Sequence, residues 1–249
     1  AKVSVVLFLT WQIERSHKRT DGFWFMCRTM LTLLPIVGLV GSNNLSTAII
    51  ILGIGVILIF AASPRYIQFA ALGGAGIGFI AIFLALESYR LERIAIWRNP
   101  EKYEKGFQTI QGLYAIGSGG LFGRGIGNSI QKLGFVPEAQ NDMIFSIICE
   151  EMGLTGAIIL ILIFALLLWR LCVISMNCQE LSGAMIAAGI MGHLAIQVIL
   201  NIAVVTNTIP NTGITLPFIS YGGTSIVFLL GEMGLALNVS RQKNNPPTR

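Results

Sequence analysis

Three stretches of this sequence hold side chains whose types and spacing suit chemistry. The first, PEAQNDMIFSIICEE at 137–151, sets Glu138 and Asp142 at the threshold of a long apolar run and Glu150 and Glu151 inside it. Asp142 reads in two ways. At the end of a helix a carboxylate accepts the free backbone N–H groups of the first turn and serves as an N-cap. At a boundary between water and membrane the same group is partly desolvated, which lifts its pKa toward the range of a general base. On a helix, Ser146 and Glu150 fall within about 80° of Asp142 while Glu151 points nearly opposite, so the two glutamates are expected to serve different surroundings. Glu150 lies roughly 12 Å along the helix from Asp142. An ionisable group at that depth is either a functional residue or a hydrogen-bonded link between helices.

The second stretch, AIGSGGLFGRGIGNS at 115–129, includes Gly119, Gly120 and Arg124. It suits a backbone nest around a phosphate with Arg124 supplying charge, or glycines that let a lid pack tightly on helix ends. It is not a Walker A loop, because no Gly-Lys-Ser/Thr follows. The third, NTIPNTGITLPFISYGGTS at 207–225, sets Pro210, Gly213, Pro217, Ser220, Gly222 and Gly223 between two apolar runs. Irregular backbone near membrane depth survives where protein buries it or water reaches it, so this segment is expected to line a cavity. Ahead of it, His193, Gln197 and Asn201 recur every four residues on one helix face, as interhelical hydrogen bonding requires.

These groups must be positioned by helices in a membrane. Of 249 residues, 54% are hydrophobic and 12% charged, against about 25% charged in soluble domains, and the mean hydropathy is +0.73. One integral membrane domain over 1–249 is expected. The net charge of +5 fits retention of basic loops in the cytoplasm. Nucleic-acid binding is disfavoured, since no basic block is interleaved with exposed aromatics. Cys27, Cys149, Cys172 and Cys178 lack the spacing of a metal site and are expected to pack. The opening run, AKVSVVLFLTWQI, has neither a basic n-region nor a cleavage site and reads as a helix entered partway along.

A bilayer core needs roughly 20 apolar residues per helix, and seven segments approach this, at about 1–13, 23–41, 46–62, 67–86, 144–169, 183–204 and 222–239. The basic residues Arg15, Lys18, Arg19, Arg65, Arg170, Arg241, Lys243 and Arg249 fall on one side if the spans alternate. That side is expected to be the cytoplasm and to hold the C-terminus. The loop 87–142, between the fourth and fifth spans, then becomes an ordered extracytoplasmic cap, too rich in spaced apolar residues for disorder. Glu232 falls in the last span, where it is expected to be protonated or bonded to a neighbouring helix.

RLERIAIWRNP at 90–100, the run from Gly106 to Gly156 and NTIPNTGITLPFISYGGTS occur in an order and spacing that resemble the SEDS family (shape, elongation, division and sporulation), with its FtsW and RodA branches. The resemblance implies an all-α, polytopic helical bundle of ten spans, of which these seven would be the last. It also implies polymerisation of peptidoglycan glycan strands from lipid II at the bacterial cell membrane. Asp142 matches the family's catalytic aspartate and Glu150 its glutamate in the following helix. Lys2 matches a lysine following a Pro-Ser-Glu motif, so the chain is expected to begin just after that motif. Substrate contacts are expected from Lys2, Arg90, Arg93, Gly119, Gly120, Arg124, Glu138, Glu150, Asn201, Pro210, Pro217, Ser220, Gly222 and Gly223. Asp142 would take the acceptor hydroxyl proton while Arg90, Arg93 and Arg124 hold an undecaprenyl pyrophosphate, a task that a divalent cation such as Mg or Mn could share. The implied partner is a class B penicillin-binding transpeptidase. Gln140, Asn44 and Glu232 depart from the family pattern, at positions where it commonly has histidine, aspartate and a small or apolar residue. Two rival readings are a lipid II flippase and a non-enzymatic scaffold for the transpeptidase.

Overall fold

In a computed structural model the chain is described at residues 2–16, 23–62 and 88–242, with Gly73, Gly74, Gly76 and Gly78. Every regular element among the described residues is helical. Helices α1 (Lys2–Arg15), α2 (Phe23–Asn43) and α3 (Leu45–Ala62) fall where the first three spans are expected. The fourth expected span, 67–86, lies outside the described residues apart from the four glycines. The cap region holds α4 (Ser88–Arg98) and α5 (Phe107–Gly119), followed by α6 (Ile144–Asn177), α7 (Leu181–Val205) and α8 (Gly223–Gln242). Among the described residues four helices, α3, α6, α7 and α8, are long and apolar enough to cross a membrane.

The chain divides into two compact units, one of residues 1–79, 167–196 and 224–249, the other of 80–166 and 197–223. In the first, Val5, Leu9 and Ile13 of α1, Leu33 and Val37 of α2 and Ile50, Ile54 and Leu58 of α3 are buried. Asn44 separates α2 from α3 and caps the latter, its Oδ1 accepting the Thr47 N–H at 3.0 Å. Two pairs of polar groups inside this apolar unit bond to each other, as burial favours. The Thr32 hydroxyl donates to Gln12 Oε1 at 2.9 Å, and His193 Nδ1 lies 2.9 and 3.0 Å from the two Glu232 oxygens. Glu232 is therefore bonded to a neighbouring helix, as expected, and its partner is the first residue of the polar stripe on α7.

The second unit is built around a break in α6. Gly153 has φ 65° and ψ −165°, a region that only glycine occupies readily, so the uninterrupted span expected at 144–169 is two helical pieces. A helix break strands carbonyls on one side and N–H groups on the other, and the glycine-rich stretch fills both needs. Arg124 and Gly125 donate their N–H groups to the Glu150 and Glu151 carbonyls, both at 2.9 Å. Leu154 and Thr155 donate to the carbonyls of Gly120 and Leu121, at 2.9 and 3.1 Å. Backbone meets backbone so closely that a Cβ on Gly153 would run into Gly123 N and the Leu121 carbonyl. A Cβ on Gly119 would run into the Cys149 carbonyl. Beneath this strap, Met143, Phe145, Ile147 and Cys149 of the α6 entrance pack with Val136, Val198, Val205 and Leu216 in one apolar core.

Two outcomes follow. Gly153→Ala should lower stability by about 1–3 kcal/mol through its backbone conformation alone, read as a drop in the thermal unfolding midpoint in detergent. His193→Leu should cost about 1–3 kcal/mol by removing the hydrogen-bond partner of a buried carboxyl, whereas the His193→Leu/Glu232→Leu pair should recover part of that loss in the same assay.

Candidate active site

Asp142 sits in a turn two residues ahead of α6, not on the helix itself. Three successive carbonyls of that turn are held by the 197–223 segment. The Tyr221 N–H donates to the Gln140 carbonyl at 2.8 Å, the Ser220 hydroxyl to Asn141 at 2.6 Å, and Asn201 Nδ2 to Asp142 at 2.8 Å. Asn201 also donates to the Ile214 carbonyl at 2.7 Å, and Gln197 to that of Thr215 at 2.9 Å. The stripe on α7 thus supplies donors where the non-helical segment leaves acceptors. Phe218 (φ 64°) and Asn207 (φ 54°) take left-handed backbone there.

The Asp142 side chain faces a cavity of about 310 Å³ between α4, the start of α5 and residues 207–213. Arg93 and Lys105 supply positive charge to its wall, and Gln108 and Asn211 supply amides. Gln108 Nε2 lies 3.3 and 3.5 Å from the Asp142 oxygens, and its Oε1 accepts from Asn211 Nδ2 at 3.3 Å. Two long-range bonds close the wall, Trp97 Nε1 to the Asn207 carbonyl at 2.9 Å and Arg93 Nη1 to that of Asn211 at 3.3 Å. Asp142 is only 8% exposed. Burial pushes its carboxyl above the ordinary carboxylate range. Its own N–H pulls the pKa back, the Glu138 charge adds to the rise, Gln108 and the Met143 N–H pull back again, and the rise prevails. A carboxylate so placed accepts some cap-like bonding and is also primed to take a proton.

The structure places Arg93 on the wall of the cavity that Asp142 lines and sends other expected contacts elsewhere. Arg124 lies 3.5 Å from Glu150 Oε1, and the carbonyls of Gly119 and Gly120 accept the N–H groups of Gly123 and Leu154 in the strap. Glu150 is fully buried and takes the Ser129 hydroxyl at 2.5 Å and the N–H groups of Ile130 and Gln131 at 3.2 and 3.3 Å. Glu151 grips the same segment through Ser129 N at 3.4 Å and Lys132 Nζ at 2.6 Å. The two glutamates therefore share one surrounding, contrary to the helical-wheel expectation, because the loop wraps around this end of α6.

Glu138 lines a second, open cavity with Lys132, Gln140, Asn141 and Tyr221. Arg90 contributes backbone to α4 and its side chain lies outside the described residues. Pro210 and Pro217 shape the 206–222 segment, Gly222 ends it and Gly223 begins α8. Lys2 belongs to the first unit, where it interacts electrostatically with Glu232. Lys105, Gln108, Trp97 and Asn211 were not legible as site residues. Their sequence neighbours read as an ordinary charged loop and helix start, and what assembles them is contact across more than a hundred residues. Among the described residues no group of three or more His, Cys, Asp or Glu could hold a metal ion.

The sequence pattern of the cell cycle protein family of FtsW, RodA and SpoVE matches residues 1–245. The chain is 40% identical over 251 residues to Stage V sporulation protein E of Bacillus subtilis, covering 96% of this chain and 67% of that protein. It is 35% identical to a probable peptidoglycan glycosyltransferase FtsW of Trichlorobacter lovleyi, covering 96% and 64%. Among solved structures it matches a chain from a peptidoglycan synthase complex that coordinates polymerization and crosslinking, with a TM-score of 0.78 and 27% identity over 98% of this chain and 69% of that one. It also matches the rod shape determining protein RodA of Thermus thermophilus, with a TM-score of 0.66 and 28% identity over 98% and 64%. The chain thus spans about two thirds of the length of these relatives.

Proposed function

Because the chain belongs to the FtsW, RodA and SpoVE family of cell cycle proteins, we propose that it carries the active site of a membrane-embedded glycosyltransferase that polymerises lipid II into peptidoglycan glycan strands. The observation behind this reading is a buried carboxyl with a raised pKa, Asp142, facing a cavity whose wall holds Arg93 and Lys105. Glycan transfer needs a group that takes a proton beside groups that hold a leaving anion. The GlcNAc 4-hydroxyl of the incoming lipid II attacks the anomeric carbon of the growing strand, its proton passes to Asp142, and the bond to undecaprenyl pyrophosphate breaks. Arg93 and Lys105 hold the departing pyrophosphate by charge-assisted hydrogen bonds. Gln108 orients the Asp142 carboxylate, and Asn201, Ser220 and Tyr221 fix its backbone. The described residues do not fit a resident Mg or Mn. Of the carboxylates at the cavity, Glu92 is paired with Lys105 at 3.0 Å and Asp142 accepts from Gln108, so no step is routed through a metal.

In this reading the helices at 2–15, 23–43 and 45–62, the segment 67–86 and α6, α7 and α8 make seven spans, with the cap over 87–142 at the extracytoplasmic face of the membrane and the C-terminus in the cytoplasm. A class B penicillin-binding transpeptidase is the proposed partner, since a strand made at the outer surface needs crosslinking.

Asp142→Asn tests the assignment. Asparagine keeps the size and much of the capping ability of aspartate, so the full-length protein carrying it should reach the membrane in normal amount and bind labelled lipid II. It should make glycan about 10² to 10⁴ times more slowly. Near-normal polymer would reduce Asp142 to a helix cap. Lipid transfer between leaflets without polymer from the unaltered protein would favour a flippase, and neither activity a scaffold.

The pH profile gives a second check. A base must be deprotonated to act, so a raised pKa means that the rate falls, as pH drops, earlier than an ordinary carboxylate would require. Gln108→Leu removes a donor that favours the charged form, so it should move the acid limb further up in pH. A limb that stays in place would separate Gln108 from the titrating group.

A further inference from the structure

The segment 121–135 presents its large apolar side chains outward. Phe122 is 80% exposed, Ile126 81% and Leu133 75%, with Leu121, Ile130 and Phe135 at least half or nearly half exposed. In water such a cluster is costly, and contiguous apolar surface of this kind marks an interaction site. The occupant is indicated by the backbone. From Gly123 to Leu133 nearly every N–H finds an acceptor inside the protein. Gly123 donates to the Gly119 carbonyl, Arg124 and Gly125 to those of Glu150 and Glu151, Asn128 to Gly125 and Leu133 to Ile130. Ser129, Ile130 and Gln131 donate to the carboxylates of Glu151 and Glu150, and Lys132 to the Ser129 hydroxyl.

A solvated loop has no need of this, because water satisfies its backbone, whereas irregular backbone in contact with lipid must be satisfied from within the protein. The charged side chains are likewise neutralised locally, Arg124 by Glu150 and Lys132 by Glu151. The strap is also tied to α6 at 150–155, where the apolar flank of that helix begins. Leu154, Ile158, Ile159 and Leu162 are about half exposed there, as expected of a spanning helix that faces acyl chains.

We propose that residues 121–135 are a lipid-seated segment, with Phe122, Ile126 and Leu133 in the acyl boundary of the bilayer beside α6 and not in water above it. The inference needs only that α6 spans the membrane and is independent of the reaction assigned above. Its energetic source is apolar burial, with most of the backbone N–H groups of the loop already paired.

The test places nitroxide labels, one at a time, through Phe122→Cys, Ile126→Cys and Gln140→Cys in the full-length protein, with Cys27, Cys149, Cys172 and Cys178 changed to Ala. The protein is reconstituted in phosphatidylethanolamine and phosphatidylglycerol bilayers. Oxygen partitions into acyl chains and a nickel chelate into water, so the oxygen-to-nickel collision ratio should be several-fold higher at 122 and 126 than at the exposed polar position 140. Equal ratios at the three sites, with ready access to nickel, would place the loop in water and overturn the proposal. Exclusion of both reagents at 122 and 126 would mean that another protein surface covers it, and would overturn it equally. To avoid reliance on the cysteine-free background, Phe122→p-benzoylphenylalanine in the otherwise unchanged chain should crosslink under light to phospholipid, seen as an added lipid mass. Adducts to protein alone, or none, would count against lipid seating.

Discussion

A carboxylate with no exposed surface anchors this part of the protein. Glu150 would be expensive to bury alone, and it is not alone, because the Ser129 hydroxyl, two backbone N–H groups and Arg124 converge on it. A few residues further on, the chain of α6 breaks at Gly153, and the segment that satisfies Glu150 also satisfies the broken helix. Neither defect is stable without the other. The charge needs donors that only the strap brings, and the strap is held in place by the carbonyls and N–H groups that the break exposes. The helix entrance carrying Met143 and Phe145, and with it the turn bearing Asp142, rests on this mutual repair.

Much of this arrangement is legible in the sequence, and the illegible part has a physical reason. Apolar run lengths locate α3, α6, α7 and α8, and the four-residue spacing of His193, Gln197 and Asn201 forecasts their hydrogen bonds to other segments. Asp142 stands out as a lone carboxylate at an apolar threshold. The spacing of glycines at 119–127 announces close backbone approach without saying what is approached. The break at Gly153 is hidden, since one glycine in an apolar helix is ordinary and only its partner segment makes the break stable. Helical-wheel geometry then assigns Glu151 to the wrong neighbours, because it assumes a helix with free sides.

The polar wall of the cavity is the least legible element. Trp97, Lys105, Gln108 and Asn211 belong to separate elements, and no local pattern pairs a helix start at 107 with an amide at 211. Their meeting depends on α4 being tied to the 206–213 segment through Trp97 and Arg93. The same tie explains why the site combines opposite demands. It is dry enough to raise the pKa of a carboxyl and, in the proposed reaction, would have to be polar enough to receive a charged headgroup, and side-chain and backbone dipoles fixed in advance serve both demands without water.

The clamp on the carbonyls of 140, 141 and 142 carries a mechanical consequence. Three consecutive peptide units tied to one neighbouring segment leave Asp142 only its own side-chain torsions as freedom. For a polymer that grows one repeat at a time past such a residue, the stroke of each cycle belongs to the sugar chain. In the proposed reaction the turn bearing Asp142 would act as a stationary anvil, and the advance would fall to the strand sliding past it.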